Sequence, residues 1–533
     1  MQMKNMKLLK SLFLIAPLAI VLAGCTKFLD RKPLRSTLDD LNQGSLEQQI
    51  LGMYNTLKNY VGFSGLPWID FHSIRGDDAQ KGSDANDGRE IIAEFETFQY
   101  SKDDWAPNTY WNDHFTMINQ ANEALALAEE EKPTDAASQR NIGEALFFRA
   151  YSYWELVKTY GEVPLINFKL EKPSDGFVAK AAVPRLYEFI DSNLAAAVEL
   201  LPLTDDAYGP GYDGRLTRGA ANTLWAETYL FRKDWAKVIA LTNTVIASGV
   251  YSLNSNFSDN FREWKDGVNG GWKNSPESIF EMQATIGANG VTNGAVNQGA
   301  QWGTAQQIRR NSAPEEWNLG WGWNTPTDKL EAAWPDSDPR KRKTILYSGE
   351  FDGGEVMGGF GATLPPYTNP DGTGGGFAQK FWSKKLYTGN DPRMRQFTGF
   401  TRHGEAGWIN KRIFRYAEVL LMLAEAANEA GDGATAAANL ELIRNRASGN
   451  LGRDRTVLPY IPFTSQSQMR EAIINERNWE LAMEGKRFYD LVRWDRAISE
   501  LSSLGYTNRA RYYPIPQRII DLSGGIIKQN PEW

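Results

Sequence analysis

RGAANTLWAETYLFRKDWAKVIALTNTVIA, residues 218–247, reads as two helices with almost nothing between them. Arg218 to Phe231 and Asp234 to Ala247 both carry helical apolar periods. The two-residue break makes the helices antiparallel neighbours. Farther on, Ala226-Glu227, Asp234 and Ala236 return at a constant offset as Ala424-Glu425, Asp432 and Ala434. Each set spans a helix, a tight turn and the next helix. Small residues where two helices cross, followed by a short turn, are the mechanics of a tetratricopeptide-type hairpin.

Working outward, further helices are expected on both sides. Ser45 to Tyr60 has an apolar stripe at Leu46, Ile50, Met53, Tyr54 and Leu57. Asn108 to Glu131 is stopped by Pro133. Asn141 to Tyr160 places Ala145, Phe148, Tyr151, Ser152 and Leu156 on one side and ends at Gly161 with Pro164 beyond. Val183 to Leu200 opens with Pro184 in its first turn. Arg415 to Gly431, Ala434 to Arg446, Gln466 to Glu484 and Phe488 to Leu501 complete the set. The fold class is therefore mainly α: a tetratricopeptide-like helical-hairpin scaffold over about 45–250 and 410–533, with a large irregular loop-rich region over about 251–409. Residues 61–104 also read as loop, rich in Gly and Asp. Long ordered loops tend to be functional. Within 350–376 glycine is dense but no Gly-Lys-Ser/Thr follows, so this stretch reads as a flexible surface loop and not a phosphate cradle.

The N-terminus carries an address. Lys4, Lys7 and Lys10 precede an apolar run from Leu12 to Val21, and Leu22-Ala23-Gly24-Cys25 follows. A positive start, about ten apolar residues and small residues before a thiol describe a cleaved signal ending in a bacterial lipobox, not a spanning helix. Residues 1–24 are read as the signal peptide and 25–44, with Pro33, as a lipidated leader joined to the membrane through Cys25. Residues 45–533 form the body. Cys25 is the only cysteine, so disulfides and cysteine metal sites are excluded.

Composition narrows the function further. Hydrophobic content of 42% and charged content of 23% are ordinary for a water-soluble body. A net charge of −7 argues against a nucleic-acid partner. His72, His114 and His403 are scattered and make no metal motif. Asp84-Ala85-Asn86-Asp87-Gly88 falls short of a calcium loop and lacks its spaced glutamate. No metal or other cofactor is expected.

Tryptophan is frequent, with 18 residues, many in polar Gly-rich segments. Trp302, Trp317, Trp321 and Trp323 share one such segment with Arg309, Arg310, Asn311 and Asn324. A second group joins Phe63, Trp68 and Phe71 to His72, Arg75, Asp77 and Asp78. A pyranose offers C–H bonds on one face and hydroxyls at its rim. An indole covers the face, and Asp, Asn, Gln or Arg reach the rim. Each ring could equally pack its own loop onto the helices. In an extended Trp321-Gly322-Trp323 segment the two rings would point to opposite faces unless the loop bends.

Several blocks together resemble the SusD/RagB family of outer-membrane nutrient-binding lipoproteins. They are NERNWELAMEGKRFYDLVRW (475–494), RYAEVLL (415–421), FRAY (148–151) leading to YGEVPL (160–165), the tail Pro514-Ile515-Pro516 with Gln529-Asn530-Pro531, and Cys25 followed by Phe28-Leu29-Asp30. The blocks occur in the family's order over nearly the whole mature chain. The resemblance implies a lipid anchor on the outer membrane with the body facing the exterior. It implies a SusC-like TonB-dependent transporter as partner, over which the lipoprotein acts as a lid. The implied cargo is a glycan, or a peptide in some members, and the implied role is binding without catalysis. In the family the N-terminal and mid-chain loops build the site together. Trp68, Trp302, Trp317 and Trp321 are accordingly the expected ligand-facing rings, with Arg75, Asp77 and Asn311 as polar partners. Glu476, Glu480 and Glu484 could read as a carboxylate active site; a buried ion-pair and aromatic lock between helices is the preferred reading. A surface glycosidase and a purely structural lid are the competing functions.

Overall fold

The structure is a computed structural model. It describes residues 44–88, 92–262, 264–265, 268–269, 272–284, 301–389, 409–449 and 456–533. The signal peptide, Cys25 and all but the end of the leader lie outside the described residues. Two compact units are distinguished, 1–49 and 50–533. The described part of the first is the start of helix α1 (Leu46–Asn59). Everything below concerns the second.

Its scaffold is a succession of paired helices. Helices α2 (Trp105–Glu131) and α3 (Ala136–Tyr160) pack side by side, and α4 (Val183–Leu200) packs on α3. Helices α5 (Arg218–Arg232) and α6 (Trp235–Ala247) form one hairpin, and α7 (Tyr416–Glu429) and α8 (Gly433–Ala447) another. Helix α6 packs on α7, so the two hairpins stack although the whole loop-rich region separates them in the chain. Helix α9 (Gln466–Glu480) closes over α7 and α8. A core of Leu420, Leu421, Leu440, Ile443, Met469 and Ile473 lies between α7, α8 and α9.

The repeated turn is the same device twice. Lys233 and Gly431 take φ of 58° and 89°. Lys233 N–H donates to Leu230 O at 3.2 Å, and Gly431 N–H donates to Asn428 O at 3.1 Å. Asp234 N–H donates to Tyr229 O and Asp432 N–H to Ala427 O, at 3.1 and 2.8 Å. These two bonds per turn cap the outgoing carbonyls as a left-handed helix end requires. Each aspartate then caps the next helix, accepting from Lys237 N–H and Thr435 N–H. Ala226 and Ala424 are fully buried where the helices meet. Ala236 and Ala434 are exposed, so only the first alanine of each set serves close packing.

The C-terminal helices are shorter than their periodicity predicts. Helix α9 stops at Glu480, and the chain turns through Met483 and Gly485, with φ of 64° and 73°, before α10 (Arg487–Arg493). Asp495, at φ 60°, breaks α10 from the short helix Ala497–Leu501, and a further short helix, Gln517–Leu522, follows. The expected loop over 61–104 also holds structure: short helical turns over Val61–Ile74 and strand β1 (Ala79–Gly82), nearly all of it buried.

The middle of the chain is laid over this scaffold as small two-stranded sheets. Strand β2 (Ser278–Met282) pairs with β6 (Lys411–Arg415). Strand β1 pairs antiparallel with β3 (Trp323–Pro326), matching Ala79 to Pro326 and Gly82 to Trp323. Strands β4 (Ile345–Tyr347) and β5 (Phe381–Ser383) pair beside them. A separate core of Ile308, Trp317, Leu346, Leu364, Phe377 and Trp382 supports these strands. Residues 350–376, expected as a flexible surface loop, are hydrogen-bonded internally. The Asp352 carboxylate accepts from Gly354, Phe360 and Gly361 N–H at 2.9, 2.7 and 3.0 Å.

Candidate functional site

The C-terminal block builds a buried charge lattice. Arg340 meets Asp338, Glu476 and Glu480 at 2.7, 2.6 and 2.9 Å. Arg415 meets Glu277, Glu480 and Glu484 at 2.6, 3.1 and 2.7 Å. Arg446 joins Glu277 to Glu480, Arg444 holds Glu476, and Lys385 holds Glu484. Burial alone would raise the Glu480 pKa, but Arg446, Arg415 and Arg340 hold it at about 2. Each carboxylate thus faces a cation, the arrangement of a buried structural ion-pair network. The lock ties α8 and α9 to the loop-rich region through Glu277, Asp338 and Arg340. Glu484 joins it from the turn after α9, not from the helix.

A second set of expected ligand contacts is also interior. Trp68 and Trp302 are each 6% exposed and Trp317 is 3% exposed. Trp68 stacks on His72 at 4.3 Å and meets Trp302 edge-on at 5.0 Å. The cation over Trp68 is the protein's own: Lys411 Nζ lies 3.3 Å from the ring centre and donates to Phe63 O at 2.5 Å. Burial drives the Lys411 ammonium well below its usual pKa. Burial likewise lowers His72 to about 3, against the pull of Glu155. Trp317 packs edge-on against Phe377 at 5.9 Å in the loop-region core. Arg75 is fully buried, 3.8 Å from the Phe488 ring centre and 4.3 Å from that of Tyr513. Asp77 pairs with Arg487 at 2.6 Å and Lys329 at 2.7 Å. These five residues are buried and have partners inside the body.

Trp321 and Asn311 are placed differently. Strand β3 sets Trp323 beside the turn that follows β1, and Gly322, at φ 76°, bends the chain ahead of it. The bend brings the Trp321 and Trp323 rings to 5.2 Å at 62°, instead of sending them to opposite faces. Trp323 is buried and donates its indole N–H to Asp87 at 3.0 Å, while Trp321 stays half-buried. Arg309 pairs with Asp87 and reaches Asp84 at 3.7 Å. Asn311, at φ 51°, directs its amide N–H₂ to Asp84 at 3.5 Å and accepts from Ala378 N–H at 3.3 Å. Ala85 N–H donates to Pro370 O at 2.9 Å. Three loops, 82–88, 307–324 and 369–379, are therefore knitted into one surface bearing an indole, a guanidinium, two carboxylates and an amide. Asp84, Asp87 and Arg309 were not singled out as ligand contacts in the sequence. The Asx-turn composition of 84–88 was the signal for the two aspartates, and the place of Arg309 among the loop tryptophans was the signal for it.

Two family models match the chain. The one described as "SusD family" covers residues 276–510, and the one described as "Starch-binding associating with outer membrane" covers 27–230. The chain belongs to the SusD family. SusD-like proteins of known sequence align along almost the whole length. One from Formosa agariphila is 26% identical over 99% of this chain and 100% of its own. One from Bacteroides ovatus is 23% identical over 96% and 87%. Among solved structures, a laminarin-binding SusD-like protein superposes with a TM-score of 0.71 at 26% identity, over 92% of this chain and 99% of that one. Surface glycan-binding protein A from Bacteroides thetaiotaomicron, solved with laminarihexaose, superposes with a TM-score of 0.69 at 20% identity, over 91% and 98%. This SusD-family chain shares their helical fold. Among the described residues no helix is long and apolar enough to cross a membrane, and no group of His, Cys, Asp and Glu is arranged to hold a metal.

Proposed function

We propose that this SusD-family chain is a non-catalytic, lipid-anchored protein of the outer-membrane surface that binds a glycan and delivers it to a SusC-like TonB-dependent transporter. The ligand is placed on the surface formed by loops 82–88, 307–324 and 369–379. The observation that carries this reading is the half-buried Trp321 ring against Trp323, whose indole N–H donates to Asp87 in the cluster of Arg309, Asp84, Asp87 and Asn311. Such a surface matches a pyranose: indole for the C–H face, charged and amide groups for the hydroxyls. The family model described as starch-binding and the laminarin-binding relative at 26% identity support a glucan as cargo. The lipobox at Cys25 and the outer-membrane wording of that model support the location.

The test is calorimetry of the protein against laminarihexaose, maltohexaose and a mixed oligopeptide library. Binding of a glucan, lost in W321A, is expected. Binding of peptides alone would replace the glycan reading by peptide import. Release of reducing ends from a bound glucan by pure protein would overturn the non-catalytic assignment.

A further inference from the structure

The turn at the centre of the proposed surface is built around a cation supplied by the chain itself. Lys81 Nζ donates to three backbone oxygens, Gly82 O at 3.0 Å, Asp84 O at 2.7 Å and Asp87 O at 2.7 Å. An ammonium has three protons, and all three are used. Carbonyls converging from one short turn, with carboxylates beside them, are how protein loops hold hard cations. Here the three carbonyls converge on the Lys81 ammonium.

With its carbonyls turned inward, the turn directs its other groups outward and sideways. Asn86 and Asp87 N–H both donate to Asp84 Oδ1 at 3.0 Å. Ser83 Oγ donates to Asp87 Oδ2 at 2.8 Å. Ser83 is held at φ 51°, a left-handed conformation that costs a non-glycine residue on the order of 1 kcal/mol. Its N–H donates to Gly322 O at 2.5 Å, which ties the turn to the bend between Trp321 and Trp323. Lys81's own N–H is anchored on Glu96 at 2.9 Å.

We propose that Lys81 is the positioning residue of the ligand surface: its ammonium fixes the 82–88 turn so that Asp84 and Asp87 are presented, with Arg309, to the glycan. The inference rests on the function proposed above, in that it assumes this surface is the ligand's.

The experiment separates the two. K81M keeps the length of the stem and removes the ammonium. Hydrogen exchange of the Asn86 and Asp87 amides is expected to quicken at least about tenfold, the loss of one charge-assisted bond being sufficient. Affinity for laminarihexaose is expected to fall by about the same factor, with little change in the thermal midpoint of the body. In a C25A background, K81C carries the only thiol. Aminoethylation of that introduced thiol rebuilds an ammonium at the same reach and is expected to restore both readouts, while capping with iodoacetamide restores neither. Unchanged exchange in K81M, or rescue by the neutral cap, would overturn the proposal. So would faster exchange with undiminished affinity. If the unsubstituted protein binds no glycan at all, the exchange and rescue arms still decide the role of Lys81, and only the ligand reading falls.

Discussion

At the residue scale, the four expected tryptophans divide by what already touches them. Trp68 and Trp302 share Lys411, and Trp317 meets Phe377 edge-on, so all three rings already have partners inside the body. Trp321 keeps part of its ring in solvent. W321A should cost at least about tenfold in glucan affinity, as deletion of an aromatic anchor at a binding surface does, with stability little changed. W317A should do the reverse, losing about 3–5 kcal/mol in urea denaturation. A W317A protein of normal stability would show that the loop-region core is not held as described. Residue type alone could not separate these rings, because an indole serves a core and a sugar equally well. Asn311 is half-buried, whereas Arg75 and Asp77 are interior partners of aromatics and cations.

At the element scale, the charge lattice and the repeated turns make opposite kinds of demand. Glu480, whose pKa is held at about 2, has an unfolded value near 4.3. A carboxylate lowered on folding contributes stability fully above the unfolded pKa and loses it as pH falls toward the folded one. Stability should therefore decline between about pH 4.5 and 2, and E480Q should be less stable at neutral pH with a shallower decline, measured as urea midpoints across that range. Equal slopes in the two proteins would count against Glu480 as the titrating group. In the turns, Gly431 sits at φ 89° and Lys233 at 58° in equivalent places. G431A should cost about 1–2 kcal/mol, with melting of α7 and α8 reported by chemical denaturation. The hairpins were readable from sequence because their signals are local: apolar period, tight turn and capping aspartate. The end of α9 at Glu480 was not, since the stop is imposed by a turn in which Gly485 lies against Trp68 and Met483 N–H donates to Asp78 at 3.1 Å.

At the scale of the whole molecule, the proposed tether and the proposed surface belong to one task. A lipid anchor raises the local concentration of a binder beside its transporter without adding a contact. C25A should leave calorimetric affinity for a glucan intact and move the protein off the cell surface, scored by whole-cell labelling. Undiminished surface labelling would remove the lipobox reading.

The sequence by itself determined the helical hairpins, the equivalence of the turns at 233 and 431, and the family, because each rests on short-range pattern or on ordered motifs. Only the tertiary structure decided which polar and aromatic residues share a surface. The residues concerned, Asp84, Arg309 and Trp321, are far apart in the chain, and strand pairing between β1 and β3 brings them together. No local signal encodes that pairing: it follows from burying Trp323 and from satisfying the backbone of a turn whose cation is Lys81.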